Sequence, residues 1–264
     1  MKLLNFSRLF IVLAAFCCYP LAQADTADSS TFTPAQRAQI ESILHDYLLN
    51  HPDILVQVAQ KLQQQQNDQM QQQAMKAVGT QTQALFNSPN SPVAGNPKGK
   101  VTLVEFFDYQ CPHCKSVEPA VMELLKTEPN LRVVYKEFPI FGAGSQFASQ
   151  AALAAQLQGK YPAFHAALMK AKAPFSEEEI LNTAKSVGLD IDKLKSDMTQ
   201  PSIKQELADN LQLANALGLP GTPGFIIAPT PTGNTAPPSN KVSVIPGDAS
   251  LAMLVHSVQV AAAK

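Results

Sequence analysis

An α/β domain preceded by an all-helical arm is the fold class this sequence predicts. Three observations carry it. A β-rich apolar run, Val101-Thr102-Leu103-Val104-Glu105-Phe106-Phe107, is followed by a helical stretch from Pro112 to about Thr127. A second β-rich run then covers 131–138, which is the order of a βαβ unit. Helical patterns fill residues 145–217, and two further β-rich runs with a last helix close the chain, so that the domain reads as βαβ, a helical insertion, then ββα. Residues 34–78 read as two helices.

The first residues have the three parts of a secretory leader: Lys2 and Arg8, an apolar run over 9–18, and Ala22-Gln23-Ala24 as a cleavage site. The expectation is cleavage after Ala24, a mature start at Asp25 and export to the periplasm, the alternative being a retained N-terminal anchor. The apolar run is too short to span a bilayer comfortably. Phe16 is too bulky for the small residue that lipid attachment at the next cysteine needs. The 264 residues are 45% hydrophobic and 16% charged, with a formal net charge of −1, the composition of a soluble globular protein. With no basic patch, nucleic acid is not an expected partner.

The arm starts at Thr33-Pro34, a helix N-cap followed by proline at the first helical position. Ile40, Ile43, Leu44, Tyr47 and Leu48 then form one apolar face. Asn50-His51-Pro52 interrupts it, and residues 53–78 read as a second helix with Ile54, Leu55, Val58 and Leu62 on one side. The glutamine-rich run 63–73 has the composition of a linker. Gln favours helix, however, and no Gly or Pro breaks the run, so a solvated helix is expected. The apolar faces of this arm lie outside the catalytic domain and need a partner. A second copy is the simplest one, which predicts a homodimer through residues 34–78, the alternative being that these faces pack back on their own chain.

Ser88-Pro89-Asn90-Ser91-Pro92 and Gly95-Asn96-Pro97-Lys98-Gly99 mark a boundary. Residues 25–90 are therefore arm and linker, and residues 91–264 the catalytic domain. Within it, Ser176 begins a capping box and Gly218 ends a helix over 202–217.

Once the leader is gone, Cys111 and Cys114 are the remaining cysteines. A bridge between them closes so small a loop that it constrains little of the unfolded chain. In an oxidising compartment, such a pair suits a redox centre acting on other proteins' disulfides. Cys111 stands where the strand gives way to a helix, with Pro112 at its first position. Unpaired N–H groups and the positive end of the helix dipole favour its thiolate. Cys111 is therefore assigned as the attacking thiol, and Cys114, one turn further in and more buried, as the resolving thiol.

His113 is placed to stabilise the thiolate, the alternative being a solvated turn residue. Glu105, an acid in a buried strand, is a candidate to relay protons to Cys114, the alternative being a hydrated strand edge. Lys136 is its candidate partner. Glu118 is expected on a solvated helix face, and Asp108 and Tyr109 at the periphery. Gly221-Thr222-Pro223-Gly224 precedes a strand and is a candidate cis peptide, the alternative being a trans-proline turn. Beside the cysteines, it would leave backbone groups free to pair with an extended client. No metal is expected, because no two of His45, His51, His113, His165 and His256 have ligand spacing.

Together Glu105-Phe106-Phe107, Cys111-Pro112-His113-Cys114, Glu118 and Pro223 resemble the DsbA-like thiol-disulfide oxidoreductases, over about residues 93–264. The resemblance implies a thioredoxin fold with a helical insertion at about 143–218. It also implies that Glu105 is the family's buried acid, Pro112-His113 its oxidising dipeptide and Pro223 its cis-proline. Two departures stand out. Thr222 precedes the proline, where DsbA oxidases carry Val and DsbC-type isomerases Thr. The segment 25–87 is similar to the oligomerisation regions of dimeric or trimeric relatives. The implied activity is formation and isomerisation of disulfides in exported proteins that carry cysteines, with no cofactor and with a membrane redox partner resetting the site. The alternatives are a monomeric, purely oxidising enzyme, a reductase of much lower potential, and a non-enzymatic holdase or binding module.

Overall fold

The computed structural model describes residues 32–263; the secretory leader expected from the sequence lies outside the described residues. The chain divides into two compact units, Met1–Ala59 and Gln60–Lys264.

Helix α1, Pro34–Asn50, begins as expected. Thr33 accepts from the Gln36 amide, and the Gln36 side chain accepts from the Thr33 amide at 2.8 Å, a complete capping box. None of its residues is buried, and Ile43, Leu44 and Tyr47 are each more than half exposed. Helix α2, Asp53–Thr80, includes the glutamine-rich run. Side-chain bonds one turn apart support that run: Gln63 Nε2 donates to Asn67 at 3.0 Å and Gln64 Nε2 to Asp68 at 2.8 Å.

A five-stranded sheet carries the second unit, in the order β1-β3-β2-β4-β5. Its strands are β1 Val93–Gly95, β2 Val101–Phe107, β3 Leu131–Glu137, β4 Gly224–Pro229 and β5 Ser243–Pro246. β2 and β3 are parallel, joined by α4, Pro112–Thr127; the other pairings are antiparallel. Between β3 and β4 come α5 Ala143–Gln156, α6 Tyr161–Lys170, α7 Glu177–Ser186, α8 Ile191–Met198 and α9 Pro201–Leu217. Helix α10, Leu251–Ala262, closes the chain. Gly218 ends α9 in the left-handed conformation at φ 70°, as the sequence predicts. Strand β1 falls in the stretch expected as a boundary. Its three residues sit among Pro and Gly and are too few to show a period.

Side chains alternate across the sheet and separate two cores. Leu103, Phe107, Val133, Tyr135, Phe225 and Ile227 share one face with Val117 and Val121 of α4, Phe164 of α6 and Leu254 of α10. Val104, Phe106, Val134 and Ile226 share the other with Leu213 and Leu217 of α9. That second core also takes Ala74, Ala77 and Val78 of α2, and Leu85 and Phe86 of a short helix, α3 Thr82–Phe86. The end of α2 therefore packs on this chain's own sheet, while the apolar residues the sequence singles out, among them Ile43, Leu44, Tyr47, Leu55, Val58 and Leu62, stay exposed.

Candidate redox site

β2 is buried along its whole length and delivers the chain to a tight turn, Asp108-Tyr109-Gln110. Cys111 follows as N-cap of α4, extended at φ −72° and ψ 118°, with Pro112 at the start of the helix. The turn is organised by the carboxylate of Asp108. It accepts from the amides of Gln110, Ile140 and Phe141 and from Ser145 Oγ, at 2.7, 2.7, 3.1 and 2.7 Å. Asp108 and Tyr109 are both fully buried, not peripheral as the sequence suggested. Their backbone leaves the sheet toward the helical insertion, which covers them.

Both cysteines are unbridged and both are buried, Cys111 at 1% exposure and Cys114 at 0%. Cys111 is covered because the segment before β4 crosses it. Its thiol donates to the Thr222 carbonyl at 3.3 Å, and the Thr222-Pro223 peptide is cis, as expected. Ala173-Pro174 is also cis, without a local sequence signal for it. Ile140 and Phe141, half exposed, emerge beside the same turn. The Thr222 hydroxyl makes no hydrogen bond of good geometry and lies near enough to Cys114 to favour that thiolate. Burial dominates, however. It pushes the Cys114 thiol far above its ordinary range, and Glu105 and Cys111 add to the rise.

His113 turns outward. Its side chain is 66% exposed, and Nδ1 lies 2.7 Å from Asp248 Oδ2. Asp248 belongs to the turn between β5 and α10, whose Gly247 amide donates to the Pro223 carbonyl at 2.8 Å. Asp248 and His113 thus meet through the fold, and nothing in the local sequence marks Asp248.

Glu105 lies on the central strand, fully buried, so the hydrated-edge alternative is excluded. Neither of its oxygens has a hydrogen-bond partner among the described residues. Burial holds its carboxyl well above the ordinary range, with Glu118 and then Glu137 adding to the effect. Lys136 does not pair with it. Glu105 is in register with Tyr135, so Lys136 points to the opposite face of the sheet, where Nζ is 3.5 Å from Glu206 Oε1. Glu118 is only 9% exposed and is not on a solvated face, because α6 packs against that side of α4.

Glu137 is fully buried too. It accepts from Tyr109 at 2.9 Å, Tyr161 at 2.8 Å and Ser149 at 2.8 Å. Burial still raises its carboxyl to about 8 against those three donors. Lys115, next to Cys114, donates to the carbonyls of Leu168, Met169 and Ala171 and fastens α4 to the end of α6. A cavity of about 430 Å³ opens over Lys136 and Glu206, away from the cysteines.

Residues 102–259 match the DSBA-like thioredoxin domain family, and residues 36–69 match the copper resistance protein ScsC N-terminal domain. The thiol:disulfide interchange protein DsbA of Bordetella pertussis is 33% identical over 159 residues, 57% of this chain and 75% of that protein. A thioredoxin-like oxidoreductase from Silicibacter pomeroyi is 43% identical and superposes with a TM-score of 0.61, covering 67% of this chain and 95% of that one. BcfH of Salmonella enterica Typhimurium is 28% identical with a TM-score of 0.71, covering 86% of this chain and 96% of that one. The chain also matches the Na(+)/H(+) antiporter NhaA 1 of Salinispora arenicola, at 31% identity, but spans only 21% of its length. With more than half its length in the family match, this chain belongs to the DsbA-like thioredoxin family of thiol-disulfide oxidoreductases and carries an ScsC-type N-terminal region.

Proposed function

We propose that this chain works in the periplasm, forming and isomerising disulfides in exported proteins through a Cys111/Cys114 dithiol–disulfide couple. The observation that carries the proposal is the placement of Cys111. It caps α4 with its sulfur 3.3 Å from the Thr222 carbonyl, while Cys114 sits one turn deeper on the side of the buried Glu105.

In the oxidised state a client thiolate attacks Cys111 Sγ, and the Cys111–Cys114 bond breaks with its electron pair going to Cys114. A second client thiolate then attacks the client sulfur of the mixed disulfide and expels Cys111 as thiolate. The client dithiol becomes a disulfide and the enzyme a dithiol, which a membrane redox partner re-oxidises. In the dithiol state Cys111 attacks a wrongly paired client disulfide and lets it reshuffle. An extended client chain lies along Thr222 and Pro223, held by backbone pairing that demands little of its sequence. Glu105 exchanges the proton of Cys114.

The arm supplies the isomerase part of the reading. Ile43, Leu44 and Tyr47 form an exposed apolar face on α1, and a second copy of the chain covers it to make a homodimer. Paired sites then enclose a misfolded client.

Reactivation of scrambled ribonuclease by the mature chain from Asp25, compared with Cys111→Ser and with the double change Ile43→Asp/Leu44→Asp, tests both parts. The expected result is no reactivation with Cys111→Ser. The α1 variant should sediment as a monomer that still oxidises a reduced peptide but no longer reactivates. An α1 variant that reshuffles as well as the parent removes the arm from the mechanism. Activity surviving Cys111→Ser leaves a non-enzymatic binding role.

A further inference from the structure

Contacts between three segments close a circuit around Cys111. Its thiol donates to the Thr222 carbonyl at 3.3 Å, and the next carbonyl, that of Pro223, accepts from the Gly247 amide at 2.8 Å. Asp248 Oδ2 then lies 2.7 Å from His113 Nδ1. His113 stands in the first turn of α4, two residues after Cys111, so the circuit returns to its start. The turn that carries Asp248 is fixed on both sides. Gly247 takes φ 109°, a value that L side chains rarely adopt, and its amide meets Pro223. Ser250 caps α10, accepting from the Met253 amide, and Ala249 is buried. The Asp248 side chain itself is 57% exposed, so its anchored neighbours place it and core packing does not.

An exposed pair of this kind contributes little to stability. Its interest lies in the proximity of one end to the reacting sulfur. The acceptor is a carboxylate oxygen, so Nδ1 carries the proton whether the imidazole is neutral or charged. In a neutral imidazole that N–H is taken by Asp248, and the side chain is turned outward, 66% exposed. In a charged imidazole the adjacent carboxylate offsets the positive charge. In both cases His113 gives a Cys111 thiolate less support than an unpaired His113 gives. A less stabilised thiolate is a poorer leaving group and a stronger nucleophile.

We propose that Asp248 is a positioning residue that holds His113 away from Cys111, tempers the oxidising power of the couple and favours attack on client disulfides. The inference rests on the proposed function, in which the same sulfur both leaves and attacks. Forming a client disulfide expels Cys111 from the mixed disulfide, and reshuffling begins when Cys111 attacks. Asp248 slows the first and assists the second, acting through His113 alone.

The test is the equilibrium of the couple against glutathione for the mature chain, Asp248→Ala, Asp248→Asn, His113→Ala and the double variant His113→Ala/Asp248→Ala. Two glutathione thiols reduce the enzyme disulfide: the Cys111–Cys114 bond breaks, one glutathione disulfide forms and two electrons pass. Asp248→Ala should shift this equilibrium up to about fivefold toward the enzyme dithiol, the upper end for an exposed ion pair. That is about 20 mV for a two-electron couple. Asp248→Asn keeps a neutral acceptor, which binds the N–H more weakly than a carboxylate, and should shift it less in the same direction. Adding Asp248→Ala to His113→Ala should change nothing further. Asp248→Ala should also oxidise a reduced peptide faster and reactivate scrambled ribonuclease more slowly, whereas a loosened site slows both. An unchanged equilibrium in Asp248→Ala, a shift toward the enzyme disulfide, or an equal shift in the His113→Ala background overturns the proposal. So does a lower melting temperature with the parent equilibrium, because a packing role moves stability alone. If Asp248→Ala does not fold, Asp248→Asn decides in the same way. A parent chain that does not exchange with glutathione at all sinks the proposed function instead.

Discussion

Lys136 Nζ lies 3.5 Å from Glu206 Oε1, and neither side chain is more than 4% exposed. The ammonium also donates to the Ala84 carbonyl at 2.7 Å and to Ser91 Oγ at 2.6 Å, while Glu206 accepts from Ser91 at 2.6 Å and Ser88 at 3.1 Å. The pair therefore pins the segment after α2 onto β3 and α9. Burial lowers the Lys136 ammonium's pKa, and Glu206 opposes that. Glu206→Leu strands a buried charge and should cost about 3–5 kcal/mol, whereas Lys136→Met/Glu206→Leu should recover most of it. Urea unfolding of both variants checks this; a single variant with the parent midpoint refutes it.

Glu137 and Glu105 make stability depend on pH. Burial raises Glu137 from 4.5 to about 8, and Glu105 shifts in the same direction. The folded chain then binds more protons than the unfolded one above about pH 4.5. The stabilisation is fully present below that value and is lost as pH rises through about 8. Each such group contributes a slope of at most about 1.4 kcal/mol per pH unit. Melting temperature should fall across this window and fall less in Glu137→Gln. A flat profile in the parent would contradict the assignment.

Thr222→Val removes the hydroxyl that favours the Cys114 thiolate. Attack by Cys114 on a mixed disulfide at Cys111 should slow about fivefold, the worth of one hydrogen bond near 1 kcal/mol. Thr222→Ser should retain the parent rate. Rapid-mixing measurement of client release separates the two, and equal rates in all three proteins remove the hydroxyl from the reaction.

Phe86 of α3 is fully buried in the core on the second face of the sheet. Phe86→Ala should cost about 3–5 kcal/mol in equilibrium unfolding. A cost below about 1 kcal/mol, the scale of an exposed position, would mean that α3 does not hold that face.

Val101–Phe107 and Pro112–Thr127 were legible to the residue, because a seven-residue β-rich run and a proline-led helix are local patterns. The side of the sheet that Lys136 takes is not legible, because strand register, which puts Tyr135 beside Glu105, is a property of two segments together. Glu118 was read as solvated because its exposure depends on α6.

By itself the sequence determined the spacing of Cys111 and Cys114, their place at a strand-to-helix junction, the helical nature of the arm and the proline that precedes β4. Each depends on neighbours within a few residues, where backbone geometry and periodicity act directly. The tertiary structure decided what surrounds the cysteines. It set Thr222 against Cys111, Asp248 against His113, and His165 against Tyr109, a residue 56 positions away. Those meetings follow from how the sheet is ordered and from the insertion folding back over α4. Burial then changes the chemistry of the carboxylates enclosed there, because desolvation acts on where a group ends up in the fold.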